Sequence, residues 1–326
     1  LKEEYININC MENLENKKFL VTGGTGFFGK NFVRYVRERG GIVDYFGSEY
    51  DLSDESKAIE AFKNFNLEYD YIIHAAVLQG AGDWPLYHKA EQFDINCRIH
   101  SNTLKCWKEY QPQAKFIGLG SSCSYPGTIV ELREDDYWNG RMHESVDVYG
   151  LTKKVMNTGI EAYKDQYNLN GTTVVFATLY GPHDSFDREK SHVVSALVRK
   201  FVEGEENNSD EVEVWGDGTQ TRELIYIDDQ IKGLLSVLDY DGELINIGTG
   251  VTVTIRELAE TIKEMSGYSG NIFYNINRFV GVKHKVLNVD MAREKYGWTD
   301  TIKVDSLKNN LKKTIDWFRE NKHLID

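Results

Sequence analysis

A tyrosine and a lysine four residues apart, Tyr149 and Lys153, are the first residues in this chain whose types and spacing suggest chemistry. On a helix, that spacing puts both side chains on one face. A phenol titrates near 10, so it needs a neighbouring cation to exchange protons near neutrality. Lys153 is expected to supply that field and to hold the ribose of a nicotinamide cofactor. Upstream, Gly120-Ser121-Ser122-Cys123-Ser124-Tyr125-Pro126 follows the apolar run Lys115–Leu119. There Ser121 offers a hydroxyl to an oxygen on a carbon being oxidised or reduced. The structural alternative is a Ser-rich turn closing on proline.

A second pattern supplies the partner for that redox chemistry. Gly23, Gly26 and Gly29 form a GxxGxxG loop, with Thr25, Phe27 and Phe28 between them, directly after the apolar run Lys18–Val21. Glycines there allow a tight turn and let backbone N–H groups reach a pyrophosphate at a helix N-terminus. Asp51 and Leu52 fall where the adenosine end would lie, although Asp51 or Ser53 serves equally well as a helix N-cap. Ala75 and Ala76, after His74, place small residues where backbone passes close to the cofactor. The segment Tyr45-Phe46-Gly47-Ser48-Glu49 contains no base to hold a 2′-phosphate, so NAD is preferred and NADP is the alternative.

These residues need a scaffold, and the hydropathy pattern provides one. Apolar runs at 18–21, 42–46, 69–75, 115–119 and 172–178 alternate with helical stretches. Such alternation predicts βαβ units and an α/β, doubly wound parallel sheet of the Rossmann type. Beyond about residue 180 come turns, short strands and helices near 192–203, 228–239 and 254–266. A return to the sheet is expected at Leu244–Ile247. The expected organisation is a dinucleotide-binding domain over 1–180 and a smaller α/β substrate-binding portion over 181–326. Residues 1–16 read as an extension, with Met11 a candidate start.

Composition narrows the function classes. Of 326 residues, 41% are hydrophobic and 27% charged, ordinary for a folded soluble chain. No apolar stretch approaches the ~20 residues of a membrane span, and no secretory signal is visible, so no membrane partner is expected. The formal charge of −13 argues against nucleic acid. Cys10, Cys97, Cys106 and Cys123 lack metal-ligand spacing and disulfide-scaffold density, so no metal and a reducing cytoplasmic setting are expected.

The loop at 23–29 with Ser121, Tyr149 and Lys153 resembles the extended short-chain dehydrogenase/reductase family of NAD-dependent epimerases and dehydratases, over residues 18–320. Within it, SSCSYP, YGPHDSFDREKSHVVSALVRKF and VWGDGTQTRELIYIDD resemble the GDP-L-fucose synthases and GDP-mannose 3,5-epimerases. The resemblance implies a nucleotide-sugar substrate, a GDP-sugar before others, and a homodimer. A ketone at sugar C4 acidifies the hydrogens at C3 and C5, and an epimerase needs one group to remove a proton and another to return it. Cys123 suits the first role, its thiol titrating near 8.5, unless it is a buried inert cysteine. The resemblance assigns the second role to His192 or Lys190. It also implies substrate contacts from Ser122, Thr178, Lys200, Arg222 and Lys283, and leaves Trp215 between base-stacking and core. Thr178 replaces a common Asn and Lys200 a common Arg. The missing base after the second strand resembles the NAD-using epimerases, which favours internal cofactor recycling over net NADPH consumption. A simple nucleotide-sugar 4-epimerase using Ser121, Tyr149 and Lys153 alone is the alternative. A 4,6-dehydratase is disfavoured, because Ser122-Cys123 stand where that class has Asp-Glu. A non-catalytic sensor is disfavoured because Tyr149 and Lys153 are both present.

Overall fold

The computed structural model describes residues 14–188, 190–298 and 304–325. Cys10 and Met11 lie outside them. Six parallel strands form the central sheet among the described residues: β1 (Lys18–Thr22), β2 (Ile42–Phe46), β3 (Tyr71–His74), β4 (Lys115–Ser121), β5 (Gly171–Phe176) and β6 (Leu244–Ile247). Their spatial order is β2-β1-β3-β4-β5-β6. The strands are short and apolar because helices cover both faces. Phe19, Val21, Tyr71, Ile73 and Ile117 enter one core, while Leu20, Ile72 and Phe116 point to the other. That alternation is the two-residue period of a strand.

Helices α1 (Phe27–Arg37), α2 (Glu55–Asn64), α3 (Lys89–Tyr110) and α4 (Asp147–Tyr167) connect the strands. Asp54 caps α2, its carboxylate accepting from the N–H groups of Ser56 and Lys57. Neither Asp51 nor Ser53 is that cap. Asp51 instead takes the Ser53 N–H at 2.9 Å and forms a local turn. The chain leaves β1 for β2 on one side and returns to β3 on the other. The C-terminal edge between β1 and β3 is therefore the switch point where ligands bind in open α/β sheets.

Past residue 180 the chain leaves the sheet, then rejoins it at β6, which pairs with β5 from Leu244↔Thr173 to Ile247↔Phe176. The expected strand 172–178 breaks in two, because Thr178–Tyr180 separates from β5 and pairs with Leu224–Tyr226. Other two-stranded pairings join Glu211–Trp215 to Asn271–Asn275, Thr221–Arg222 to Val253–Thr254, and Glu131–Leu132 to Val286–Leu287. Helices α5 (Val193–Glu206), α6 (Ile227–Ser236) and α7 (Ile255–Ser266) pack around them. Among the described residues, no helix is long and apolar enough to cross a membrane.

Candidate active site

The glycine loop sits at the switch point and fits a dinucleotide. Gly23 has φ +70°, and a Cβ there would come within 2.8 Å of the Ala76 nitrogen. A Cβ on Gly29 would lie 2.3 Å from the Gly23 carbonyl. The loop thus brings backbone within contact of backbone, with Gly26 at the N-terminus of α1. Thr22 Oγ1 accepts from the Ala76 N–H at 3.2 Å. Phe27 is half-buried and Phe28 packs on Phe32 and Phe176 in the core, so any part Phe28 takes in a cofactor site falls to its backbone. Leu52 is buried while Asp51 and Thr25 are exposed, and Thr25 touches Gly47. Glu49 accepts the Gly47 N–H at 2.7 Å, which fixes a carboxylate beside the end of β2.

Tyr149 and Lys153 lie on the first turns of α4 and are both buried. Lys153 Nζ is 5.8 Å from the centre of the Tyr149 ring. Burial pushes the Lys153 ammonium down to about 7. Burial also pushes the Tyr149 phenol well above its ordinary value; Cys123 adds to this and the Ser121 hydroxyl opposes it. In the protein alone the lowering expected from Lys153 is not seen, because burial dominates the phenol. Behind Lys153, Thr22 Oγ1, His74 and His100 form a buried chain with 2.8 Å links. Burial first, then Lys153, lowers His74 to about 3, so it stays neutral.

Ser121 ends β4, and Cys123 follows on a one-turn 3₁₀ helix whose N–H donates to Ser121 Oγ at 3.2 Å. Lys285 approaches the thiol, Nζ to Sγ 3.4 Å. Burial alone would raise Cys123, but Lys285, the Ser121 hydroxyl and His192 together hold it below the ordinary thiol value. His192 is the N-cap residue of α5. Its Nδ1 lies 3.7 Å from the carboxylate of Asp184, whose side chain is 2% exposed. Burial lowers the imidazole, but Asp184 and then Cys123 outweigh it and hold it above its ordinary value. Each charged form therefore favours the other, thiolate with imidazolium.

Cys123, Tyr149, His192 and Lys285 open on one cleft of about 290 Å³, which Thr178, Lys200, Trp215 and Arg222 also line. Three of the four small sheets contribute to its lining, through Thr178, Trp215 and Arg222. Trp215 ends strand 211–215 with the charges of Lys200 and Arg278 5.5 and 5.2 Å from its ring centre. Lys200 donates to the Glu213 carbonyl at 2.9 Å, and burial lowers its ammonium. Arg222 is held by the carbonyls of Thr221, Val280 and Val282. Next to it, the buried Glu223 carboxylate accepts the N–H groups of Thr249, Gly250 and Leu287 at 2.7, 3.0 and 2.7 Å. That clamp fixes the strand leading out of Lys285.

Two expected positions fall elsewhere. Lys190 is exposed and does not line the cleft; its backbone N–H donates to Asp187 Oδ1 at 2.9 Å. Lys283 is exposed too, and Lys285, two residues on in the segment that leads into strand 286–287, lines the cleft instead. Ser122 is buried beneath the turn. Asp184, Lys285 and Gln79 also belong to the site. No local pattern in the sequence singles out any of them.

The chain matches the family described as "NAD dependent epimerase/dehydratase family" over residues 19–248. It belongs to that family. This epimerase/dehydratase chain is an enzyme, and its cofactor is a nicotinamide dinucleotide, NAD or NADP. It is 32% identical to GDP-L-fucose synthase 1 of Arabidopsis thaliana over 94% of each chain. It is 30% identical to GDP-L-fucose synthase of Escherichia coli K12, over 94% of this chain and 98% of the other. A GDP-L-fucose synthetase of Naegleria fowleri solved bound to NADP superposes with a TM-score of 0.83, at 25% identity over 95% and 96% of the two chains. That relative weighs toward NADP, against the preference for NAD read from residues 45–49.

Proposed function

We propose that this enzyme is a GDP-sugar epimerase/reductase, acting on a 4-keto-6-deoxy hexose by moving protons at C3 and C5 and then reducing C4. The observation that carries the reading is a cysteine paired with a lysine and a histidine backed by a buried aspartate, both opening on the cleft of Tyr149. A plain 4-epimerase has no use for that second pair. The Cys123 thiolate removes the proton beside the ketone, and the His192 imidazolium returns one on the opposite face. The negative charge passes to O4, where Ser121 and Tyr149 donate to it. Solvent then resets the thiol and the imidazole, so each epimerisation is proton-neutral. Bound at the glycine loop, the dinucleotide supplies the hydride for C4. Tyr149 gives the accompanying proton to O4, and Lys153 replenishes it. Arg222 and Lys200 face the diphosphate, and Trp215 offers a ring to the base.

NADPH is the proposed reductant, following the NADP-bound relative. The carboxylate of Glu49 beside Gly47 is the feature that would resist a 2′-phosphate, and KM values for NADPH and NADH decide between them. Homodimerisation is proposed through α3 and α4, which leave Phe93, Leu151 and Val155 exposed; sedimentation at twice the monomer mass supports it.

The test is mass spectrometry in deuterated water with GDP-mannose or its 4-keto-6-deoxy derivative, first without reductant. Gain of one or two mass units with the keto sugar, then turnover on adding NADPH, is expected. Exchange with GDP-mannose itself would indicate a 3,5-epimerase that recycles NAD. No exchange with either sugar would overturn the reading in favour of a 4-epimerase.

A further inference from the structure

Gln79 joins the two chemical centres of the cleft. Its Oε1 accepts from Tyr149 Oη at 3.2 Å, and its Nε2 lies 3.1 Å from His192 Nε2. The backbone that carries it is fixed. Buried Asn96 holds both the N–H and the carbonyl of Leu78, at 2.7 and 3.0 Å. On the other side, the Ala81 N–H donates to the Lys190 carbonyl at 3.3 Å, in the segment that leads to His192. Trp84 packs so closely on Gly80 that a Cβ there would meet its ring at 2.5 Å. The amide is thus presented between a phenol and an imidazole by a pinned loop.

An amide has one accepting and one donating end. A neutral His192 with Nδ1–H toward Asp184 offers Nε2 as an acceptor. Gln79 then donates to His192 and accepts the phenol proton. A protonated His192 carries a donor on Nε2. Gln79 must then turn over, accepting from His192 and donating to Tyr149 Oη, which leaves the phenol proton pointing into the cleft. We propose that Gln79 is a positioning residue that couples the two centres, freeing the Tyr149 proton for the substrate oxygen only while His192 is protonated. Reduction at C4 would then wait until His192, having returned its proton to carbon, has been reprotonated by solvent. This inference rests on the epimerase/reductase reading above.

The experiment compares the pH profiles of solvent deuterium exchange and of single-turnover NADPH oxidation, both with the GDP-4-keto-6-deoxy sugar, in wild type, Gln79→Leu and His192→Gln. Melting temperatures confirm folding. Wild-type reduction is expected to fall as His192 loses its proton. Gln79→Leu should remove that limb and slow reduction about 5–10-fold, the scale of one lost hydrogen bond, while exchange keeps its His192 limb. Reduction in Gln79→Leu that retains the wild-type pH profile, whether or not KM rises, overturns the coupling. Absence of wild-type exchange and turnover would instead overturn the reading beneath it, so the two failures are distinct.

Discussion

The glycine loop and the cleft that Tyr149 lines are built by opposite means. At the loop the chain works with backbone: Gly23 against Ala76, Gly29 against Gly23, and a helix N-terminus at Gly26. In the cleft it works with side chains from segments distant in sequence, Cys123 from one end of β4, His192 from the start of α5, Lys285 from beside strand 286–287. A backbone site is fixed by sterics and is all-or-none. A side-chain site is tuned by charge and burial, and its members can fail singly. Substitutions should divide accordingly, into those that damage stability and binding together and those that damage chemistry alone.

The largest effect should come from the residue the two regions share. Tyr149→Phe is expected to lower C4 reduction by about 10³-fold while leaving measurable deuterium exchange into a ketone supplied ready-made. Loss of exchange to the same degree would erase the distinction between the centres. Cys123→Ala should lower exchange by about 10²-fold with no more than a degree or two of change in melting temperature, as chemistry lost without stability. On the backbone side, Gly23→Ala should cost about 1–3 kcal/mol of stability and weaken dinucleotide binding in the same protein, read by thermal melts and fluorescence titration. A Gly23→Ala protein of normal stability would mean the loop yields like a side-chain site.

Smaller effects sharpen the picture of the cleft. Lys285 favours the thiolate, so Lys285→Met should move the Cys123 pKa upward. Alkylation by iodoacetamide at pH 7, which follows the thiolate fraction, should then slow about tenfold and recover as the pH rises. Smallest of all, Lys190→Ala should change exchange less than twofold, against a loss of about 10²-fold for His192→Gln. The reverse ranking would return the proton-donor role to Lys190.

How much of this was legible in the sequence follows the same division. The glycine loop and Tyr149–Lys153 are local patterns, and parallel strands covered on both faces leave unbroken apolar runs, so the sheet and its return at Leu244–Ile247 could be read directly. The 22-residue helix α3 left a weaker trace, since its inner face buries Gln92, Asn96, His100 and Thr103 among the apolar residues. In the cleft, Lys283 and Lys285 are equivalent as letters, and only the path of the chain through 283–285 puts Lys285 against the Cys123 thiol. Asp184 acts through burial, which no local pattern records. Gln79 was invisible because its partners lie 70 and 113 residues away.

Glu223 makes one cleft wall behave as a single rigid part. Its backbone carbonyl receives the Thr178 N–H at 3.2 Å, its chain neighbour is Arg222, and its carboxylate fastens the loop at 249–250 and the strand after Lys285. The proposed grip on the diphosphate and the readiness of the thiol therefore share one fulcrum. A sequence drifting toward a new sugar cannot loosen one without slackening the other, so changes of specificity in this scaffold should collect at cleft positions the Glu223 clamp does not touch, such as Pro85 and Val146.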